Sequence, residues 1–306
     1  MASVKVGLLA CLFILTGDLA SSVEVEDDSG QTVRLEHHAQ RIVSLAPHVT
    51  ELLFSIDAGE RVVGAVNYSN YPEAAKSIPR VGGYNALDLE RIVTLEPDLV
   101  IGWQSGNNPA DLEKLRRFDL PLFINEPRRL TDIPDTLRRL AVLTGTEQQA
   151  GTVIADFKER LERLGRFYER EPVSVFYQIW DRPLMTVNDE HLISDVIRLC
   201  GGRNVFGDTA SLTPQVSEES VIERQPQAII IGGMEQQHEQ WIERWRHWEQ
   251  LPAVRNEHLF MINPDHLQRH TVRILQGAET LCRQLEQVRT DHEASSPAIE
   301  SRKTRD

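Results

Sequence analysis

The segments 89–101 (LERIVTLEPDLVI) and 218–230 (EESVIERQPQAII) follow one pattern, and this repeat decides the fold of the chain. Each segment predicts a short helix, a proline that ends it, and a buried apolar strand. The two align without a gap, so that Glu90 corresponds to Glu219 and Pro97 to Pro226. A duplicated unit of this kind predicts two similar α/β lobes with a cleft between them.

The composition excludes one large class of partners. A chain of 306 residues is long enough for one or two domains, each with its own core. Its formal net charge is −13, and lysine and arginine form no run that would follow a phosphate backbone. We therefore expect no nucleic-acid partner.

The N-terminus is typical of an export signal. Lys5 supplies a positive charge, and residues 6–15 form an apolar stretch that is too short to span a bilayer. Small residues at positions 20–22 then offer cleavage sites. We expect a signal peptide over residues 1–22 and a mature protein in the periplasm.

Two cysteines, Cys200 and Cys282, remain in the predicted mature chain. Both lie in segments whose apolar residues have helical spacing, and an oxidising compartment favours a disulfide between an isolated pair. Such a bridge would join two helices of the second lobe. The alternative is two separately buried thiols.

Strand and helix signals alternate along the first lobe, which predicts a largely parallel sheet covered by helices. Ligands of such sheets bind outside the carboxyl ends of the strands. Three of those ends carry residues 46–48, Tyr68 and residues 103–106. These positions are therefore candidates for the lining of a binding cleft.

The apolar spacing of residues 146–169 predicts a long amphipathic helix between the lobes. The predicted organisation is therefore α/β, with two Rossmann-like lobes joined by one rigid helix and a ligand cleft between them. Its boundaries are an N-terminal lobe over 23–145, a connecting helix over 146–171, a C-terminal lobe over 172–289 and a disordered polar tail over 290–306. Because one helix is stiffer than loops, we expect little hinge closure.

Several motifs resemble one protein family. They are residues 41–47, 50–51, 67–72, 89–101, 200–202 and 214–217, together with Trp103. The resemblance, from Arg41 to Val288, is to the helical-backbone (class III) periplasmic solute-binding proteins, which serve ABC importers of cobalamin, haem and iron-siderophores. Within the family it is strongest to the cobalamin receptors. It implies a monomeric, non-enzymatic carrier without a cofactor, which captures a corrinoid and delivers it to an ABC permease dimer.

The resemblance also implies the ligand-binding residues: Tyr68, Tyr84, Trp103, Trp180, Asp265, His266, Leu267, Gln268 and Arg269. Rigid aromatic walls suit the broad apolar faces of a corrin, while Arg269 and the Tyr68 hydroxyl suit its polar fringe. Trp103 packed in the core and Tyr68 packed in a loop are the structural alternatives. In the family, glutamates at the positions of Glu90 and Glu219 dock into arginine pockets of the permease, although helix-dipole stabilisation alone would also explain them.

Two other ligand classes stay open at this stage. A haem or ferric-siderophore receptor would have the same fold, and Tyr68, His48 or His266 could supply an axial haem ligand. A His-ligated metal-binding protein or metalloenzyme belongs to a different class. His266 and His270 are four residues apart, as zinc ligands on a helix are, and further imidazoles stand at His37, His38 and His258. The sequence places no convincing third ligand, so no metal site is predicted.

Overall fold

The fold is an α/β arrangement of two lobes, each built on a four-stranded parallel sheet. A computed structural model describes residues 22–83, 86–165, 171–233 and 238–295. Residues 1–21 of the predicted signal peptide and the candidate ligand residue Tyr84 lie outside these ranges. Within them, no helix has the length and apolar character needed to cross a membrane.

The first lobe begins with an antiparallel hairpin of β1 (Val23–Glu26) and β2 (Thr32–Leu35). Its other strands are β3 (Ile42–Ser44), β4 (Val62–Ala65), β5 (Gly82–Gly83), β6 (Ala86–Leu87), β7 (Leu99–Trp103) and β8 (Leu122–Asn125). Its helices are α1 (Pro47–Ser55), α2 (Leu89–Thr94), α3 (Pro109–Arg116) and α4 (Asp132–Thr144), with short 3₁₀ turns at Gly59–Arg61 and Glu73–Ser77. The main sheet has the order β4-β3-β7-β8.

The helix between the lobes is α5 (Glu147–Gly165), which begins one residue after the predicted start. Residues 166–170, the end of the predicted connecting helix, lie outside the described part of the chain. Arg160 of α5 forms an ion pair of 3.1 Å with Glu279 in the second lobe. Phe157 of the same helix is buried in an apolar cluster that contains strand residues of both sheets, so the lobes share one core.

The second lobe repeats the sheet of the first in the order β10-β9-β11-β12. Its strands are β9 (Val173–Gln178), β10 (Gly202–Asn204), β11 (Ala228–Ile231) and β12 (Leu259–Met261). Its helices are α6 (Leu192–Leu199), α7 (Glu218–Arg224), α8 (His238–Arg246), α9 (Pro252–Arg255), α10 (Pro264–Leu267) and α11 (Ile274–Ser295). The prediction of a disordered tail from residue 290 was wrong for residues 290–295, which continue α11. Residues 296–306 lie outside the described ranges.

The internal repeat is confirmed in the backbone. Helices α2 and α7 both begin after a residue whose side chain accepts a hydrogen bond from a backbone N–H of the first turn, Asp88 and Ser217 respectively. The residues before the two prolines, Glu96 and Gln225, both have a φ of 47°. A residue with left-handed backbone angles ends a helix. Each proline then leads into one of the two central strands of its sheet, β7 in the first lobe and β11 in the second.

The predicted disulfide between Cys200 and Cys282 is present and lies within the second lobe. Cys200 ends α6 and Cys282 lies in α11, so the bridge connects two helices, and a bridge of this kind contributes about 2–4 kcal/mol to stability. Trp241 and Trp245 of α8 pack in the apolar core of this lobe. Trp248 follows α8 and is partly buried against the same cluster.

Candidate functional site

A cavity of about 560 Å³ lies between the lobes at the carboxyl ends of the strands, within the size range of small-molecule sites. The first lobe contributes Leu45, Pro47, His48, Val66, Asn67, Tyr68, Trp103, Ser105, Gly106 and Asn107. The second lobe contributes Ile179, Trp180, His191, Leu212, Thr213, Pro264, Asp265, Gln268, Arg269 and His270. The expectation that residues following β3, β4 and β7 line the cleft is confirmed.

Three aromatic side chains form the accessible walls of the cavity. Tyr68 is 68% exposed and Trp180 is 47% exposed, so both rings are accessible to a ligand in the cavity. Trp103, at the end of β7, is partly buried and meets the His48 ring edge-on at 5.0 Å between centroids. Tyr68 has a φ of 65°, a left-handed conformation that costs energy for a residue with a side chain. Because the Tyr68 ring is exposed and lines the cavity, it is not packed in a loop.

The segment that contains α10 presents only some of its predicted ligand residues. Asp265, Gln268 and Arg269 line the cavity, whereas Leu267 is fully buried in the core. His266 is partly buried and is not among the lining residues. The reason is helical geometry, because positions i, i+3 and i+4 share one face of a turn. The predicted ligand roles of His266 and Leu267 therefore find no support in the cavity.

Arg269 is engaged by protein groups from both lobes. Its Nε lies 2.9 Å from Asp265 Oδ1, and its Nη2 donates to Asn70 Oδ1 at 2.7 Å and to the Tyr68 carbonyl oxygen at 3.2 Å. Its Nη1 is 3.7 Å from Glu51 Oε2. The guanidinium therefore links the lobes, and its charge is largely neutralised before any ligand enters.

Glu51 is the centre of a larger connection between the lobes, which we call the Glu51 clasp and which consists of Glu51, Arg269, Thr271 and Arg273. Arg273 donates to both carboxylate oxygens of Glu51 at 2.7 Å, and Thr271 Oγ1 donates to Oε1 at 2.6 Å. The Arg273 guanidinium also lies 3.7 Å from the centre of the Tyr71 ring. Glu51 is 3% exposed, so this is a buried, bidentate ion pair across the cleft.

Three buried histidines line the same cavity, His48 from α1, His191 before α6 and His270 after α10. The His270 ring lies 5.4 Å from that of His48 and 5.7 Å from that of His191. Burial lowers the pKa of both His48 and His191 to about 4, and burial lowers the pKa of His270 well below its usual value. All three rings are therefore neutral at physiological pH.

The sequence pointed to His48 through its place after β3, but it offered no signal for the roles of His191 and His270. Four residues separate His266 from His270, yet only His270 reaches the cavity. Within the described ranges, no group of three or more His, Cys, Asp and Glu side chains is arranged to hold a metal ion. The alternative of a His-ligated metal site therefore finds no support in the described residues.

The two repeated glutamates lie on the surface, in the first turns of α2 and α7. Glu90 and Glu219 are both exposed, so neither is needed for packing. Hydrogen bonds from its own backbone N–H and from the Ser217 side chain lower the pKa of Glu219. The structure thus presents one exposed carboxylate on each lobe at equivalent places of the repeat.

A search of protein families matches residues 42–266 to a model described as periplasmic binding protein. The chain belongs to the periplasmic binding protein family. Membership of this family indicates a periplasmic location. The vitamin B12-binding protein of Vibrio vulnificus (strain YJ016) is 36% identical over 245 residues, which cover 79% of this chain and 89% of the relative.

Solved structures of periplasmic binding proteins show the same fold. The crystal structure of the periplasmic vitamin B12 binding protein BtuF of Vibrio cholerae superposes with a TM-score of 0.76 at 35% identity and covers 82% of this chain and 98% of its own. The apo form of the heme-binding protein RhuT from Roseiflexus has a TM-score of 0.71 at 24% identity, covering 82% and 99%. The second likeness concerns the fold alone.

Proposed function

We propose that this periplasmic binding protein captures cobalamin or a related corrinoid and delivers it to an ABC permease. The observation that carries the proposal is the cavity itself, where Tyr68, Trp103 and Trp180 offer aromatic surface from both lobes. Flat rings of this kind bury the faces of a large macrocycle at little cost in side-chain entropy. The named relatives that bind vitamin B12 support the same ligand.

The charges of the cavity favour a corrinoid over haem or a ferric siderophore. Among the described lining residues, Asp265 and Arg269 are the only acid and the only permanent cation, and they pair with each other at 2.9 Å. Haem carries two propionates and ferric siderophores are commonly anionic, so both need cations to replace the water that they lose. A corrin is fringed with neutral amides, and cyanocobalamin carries no net charge because its cobalt centre balances its one phosphodiester, so it needs no such set of cations. Haem is the second candidate, because three histidines line the cavity and imidazole is an axial ligand of haem iron.

Delivery would use the exposed carboxylates of both lobes. We propose that Glu90 and Glu219 each contact a basic pocket of the permease dimer, one lobe on each subunit. Two observations support this: both side chains are exposed, and both occupy the same place in the repeat. Charge pairs at the rim of an interface set orientation and the rate of association.

Three features support lobes that move little on binding. The lobes share one apolar core, α5 packs on α11, and the Glu51 clasp joins α1 to the segment after α10. In addition, the backbone N–H of Leu130 in the first lobe donates a hydrogen bond of 2.8 Å to the Asp195 side chain of the second lobe. We therefore propose a preformed site in a monomeric carrier, with the periplasmic protein acting by binding, docking and release.

Calorimetric titration with cyanocobalamin, with haemin in parallel, tests the ligand. We expect one-to-one binding of cyanocobalamin that weakens in Tyr68→Ala and Trp103→Ala. The control is Phe118→Ala, which removes an exposed aromatic ring that does not line the cavity. Tight haemin binding without any cobalamin response would move the ligand to haem. Equal affinities in all three variants would place the corrinoid outside this cavity.

A further inference from the structure

We propose that His48, His191 and His270 form a subsite that holds one neutral primary-amide arm of the corrin and discriminates against a carboxylic acid at the same position. The proposal rests on the proposed function and adds to it a residue-level basis for ligand selection. It concerns the deep end of the cavity, which we call the imidazole subsite and which these three residues define.

Burial indicates which part of a corrinoid can reach the subsite. His48, His191 and His270 are 2%, 7% and 4% exposed, whereas the Tyr68 and Trp180 walls are about half exposed or more. The wide face of a macrocycle therefore meets the aromatic walls. A narrow, flexible side arm is the part that can reach the three recessed rings.

Hydrogen bonds within the protein determine the tautomer of His48. The Asn125 Nδ2 donates to Asp28 and Thr136, which leaves Asn125 Oδ1 as an acceptor, and it lies 2.9 Å from His48 Nε2. In the neutral ring, the proton is therefore on Nε2 and Nδ1 has a lone pair. No described residue donates to that Nδ1, so His48 offers an acceptor.

His191 has the opposite tautomer. Its Nδ1 accepts the backbone N–H of Ile193 at 3.1 Å as the cap of α6, so in the neutral ring the proton is on Nε2. That Nε2–H has no acceptor among the described residues. His191 thus offers a donor in the cavity to which His48 offers an acceptor.

His270 lies against both rings and makes no side-chain hydrogen bond with the described residues. Its Nδ1 is fully buried and without a partner, and so is Nε1 of the neighbouring Trp103, whose ring lies 5.7 Å away. Both of these nitrogens have no accessible surface, so a ligand arm meets the His270 ring and not these two atoms. The hydrogen-bonding groups left to an arm are the His48 acceptor and the His191 donor, and a primary amide both donates and accepts.

A carboxylate would fit the same subsite poorly. Its oxygens only accept, so one of them would face the His48 lone pair, and the rings are neutral at physiological pH. The nearest cations are already paired, Arg269 with Asp265 and Arg128 with Glu126 and Glu190. An acid would therefore lose its hydration without gaining a counter-charge.

The test compares cyanocobalamin with its monocarboxylic acids, each made by hydrolysing one amide arm, by calorimetry at pH 7.5. We expect one acid to bind about 100-fold more weakly than cyanocobalamin, and the others within about tenfold. His191→Asn keeps a helix-capping side chain but removes the Nε2–H donor. In this variant the discrimination should fall below about tenfold, while thermal unfolding shows a folded protein. His266→Asn changes a nearby histidine outside the cavity and should leave the discrimination unchanged.

Four results would overturn the proposal. If all acids bind as well as cyanocobalamin, or if His191→Asn and His270→Phe discriminate like the wild type, the subsite does not select amides. If bound diaquocobinamide shows a shift of its visible bands that His270→Phe abolishes, an imidazole coordinates the cobalt instead. If the wild type does not bind cyanocobalamin at all, the proposed function fails as well, which separates the two failures.

Discussion

The two halves of the internal repeat have the same backbone but different supports. In the first lobe, Leu89 opens α2 and packs on an apolar cluster beneath it. In the second lobe, the corresponding residue is Glu218, which forms an ion pair with Arg244 and accepts a hydrogen bond from Trp248 Nε1 at 3.0 Å. Helix α2 is thus supported by apolar packing and helix α7 by polar contacts.

The exposed carboxylate is the feature that stays the same while its support differs. Glu90 directly follows Leu89, and Glu219 directly follows Glu218. Both glutamate side chains are exposed and take no part in the contacts that support the two helices. If these glutamates were needed for packing, the different contacts beneath α2 and α7 would not call for a glutamate at the same position in both lobes. The comparison therefore favours an external partner that needs one negative charge on each lobe.

The largest expected effect is on transport. Charge reversal in Glu90→Arg with Glu219→Arg should abolish uptake of labelled cyanocobalamin in cells that depend on this protein, because both carboxylates would face basic pockets with the wrong charge. Calorimetry should show unchanged ligand affinity. Glu96→Arg with Glu223→Arg makes the same change of net charge at exposed positions nearby and should transport normally. Normal uptake by the first double variant would disprove docking through these residues.

The next largest effect is on the connection between the compared lobes. Glu51→Ala leaves the buried guanidinium groups of Arg273 and Arg269 without their common partner, which should lower the free energy of unfolding by about 3–5 kcal/mol. Denaturant unfolding followed by tryptophan fluorescence measures this change. Exposed Glu60→Ala is the control. A loss below about 1 kcal/mol would show that the clasp contributes little and that the shared core alone joins the lobes.

A smaller effect is expected on the pH dependence of the free energy of unfolding. One buried histidine from each lobe contributes to it. The pKa values of His48 and His191 are about 4 in the folded protein, against the ordinary 6.5 in the unfolded chain. The unfolded chain therefore binds more protons between these values, and stability decreases as the pH falls from about 6.5 to about 4. Each histidine should account for roughly 3 kcal/mol of this loss.

The His48→Gln and His191→Asn variants separate the two contributions. Denaturant unfolding at several pH values should show a shallower pH dependence for each variant, and both lobes should respond to a similar extent. An unchanged pH dependence in either variant would mean that the replaced ring is not buried and neutral in the folded protein.

The smallest effect comes from making the second support resemble the first. Glu218→Leu introduces the residue type found at Leu89 and removes the contacts to Arg244 and Trp248, while Arg244 keeps its pair with Asp181 at 2.8 Å. We expect a loss of about 1 kcal/mol in unfolding free energy, because the pair is partly exposed. Uptake should stay within about twofold of the wild type. A large transport defect would show that the support itself, as well as the exposed Glu219, contributes to docking.

Much of the architecture could be predicted because it depends on short-range patterns. The helix–proline–strand repeat and the helical spacing around Cys200 and Cys282 are local signals, and the structure confirms both of them. The end of α11 was missed because residues 290–295 are polar except for Ala294. A helix that is already supported by packing continues through such residues without an apolar stripe of its own.

The candidate site could be predicted only in part. The positions of His48, Tyr68 and Trp103 follow from the ends of their strands, and the structure confirms that they line one cavity. The orientation of Leu267, the engagement of Arg269 and the meeting of His191 with His270 were not foreseen. Each depends on a contact between segments that are distant in the chain or on the face that a single turn presents.

The sequence by itself thus determined the elements and their duplication, because periodicity, capping and proline act over a few residues. Only the tertiary structure decided that Arg269 joins the Glu51 clasp and that three neutral imidazoles share one cavity. The Glu51–Arg273 ion pair and the contact between the His48 and His270 rings form only when the two lobes pack together, and neither lobe alone contains both halves of those contacts.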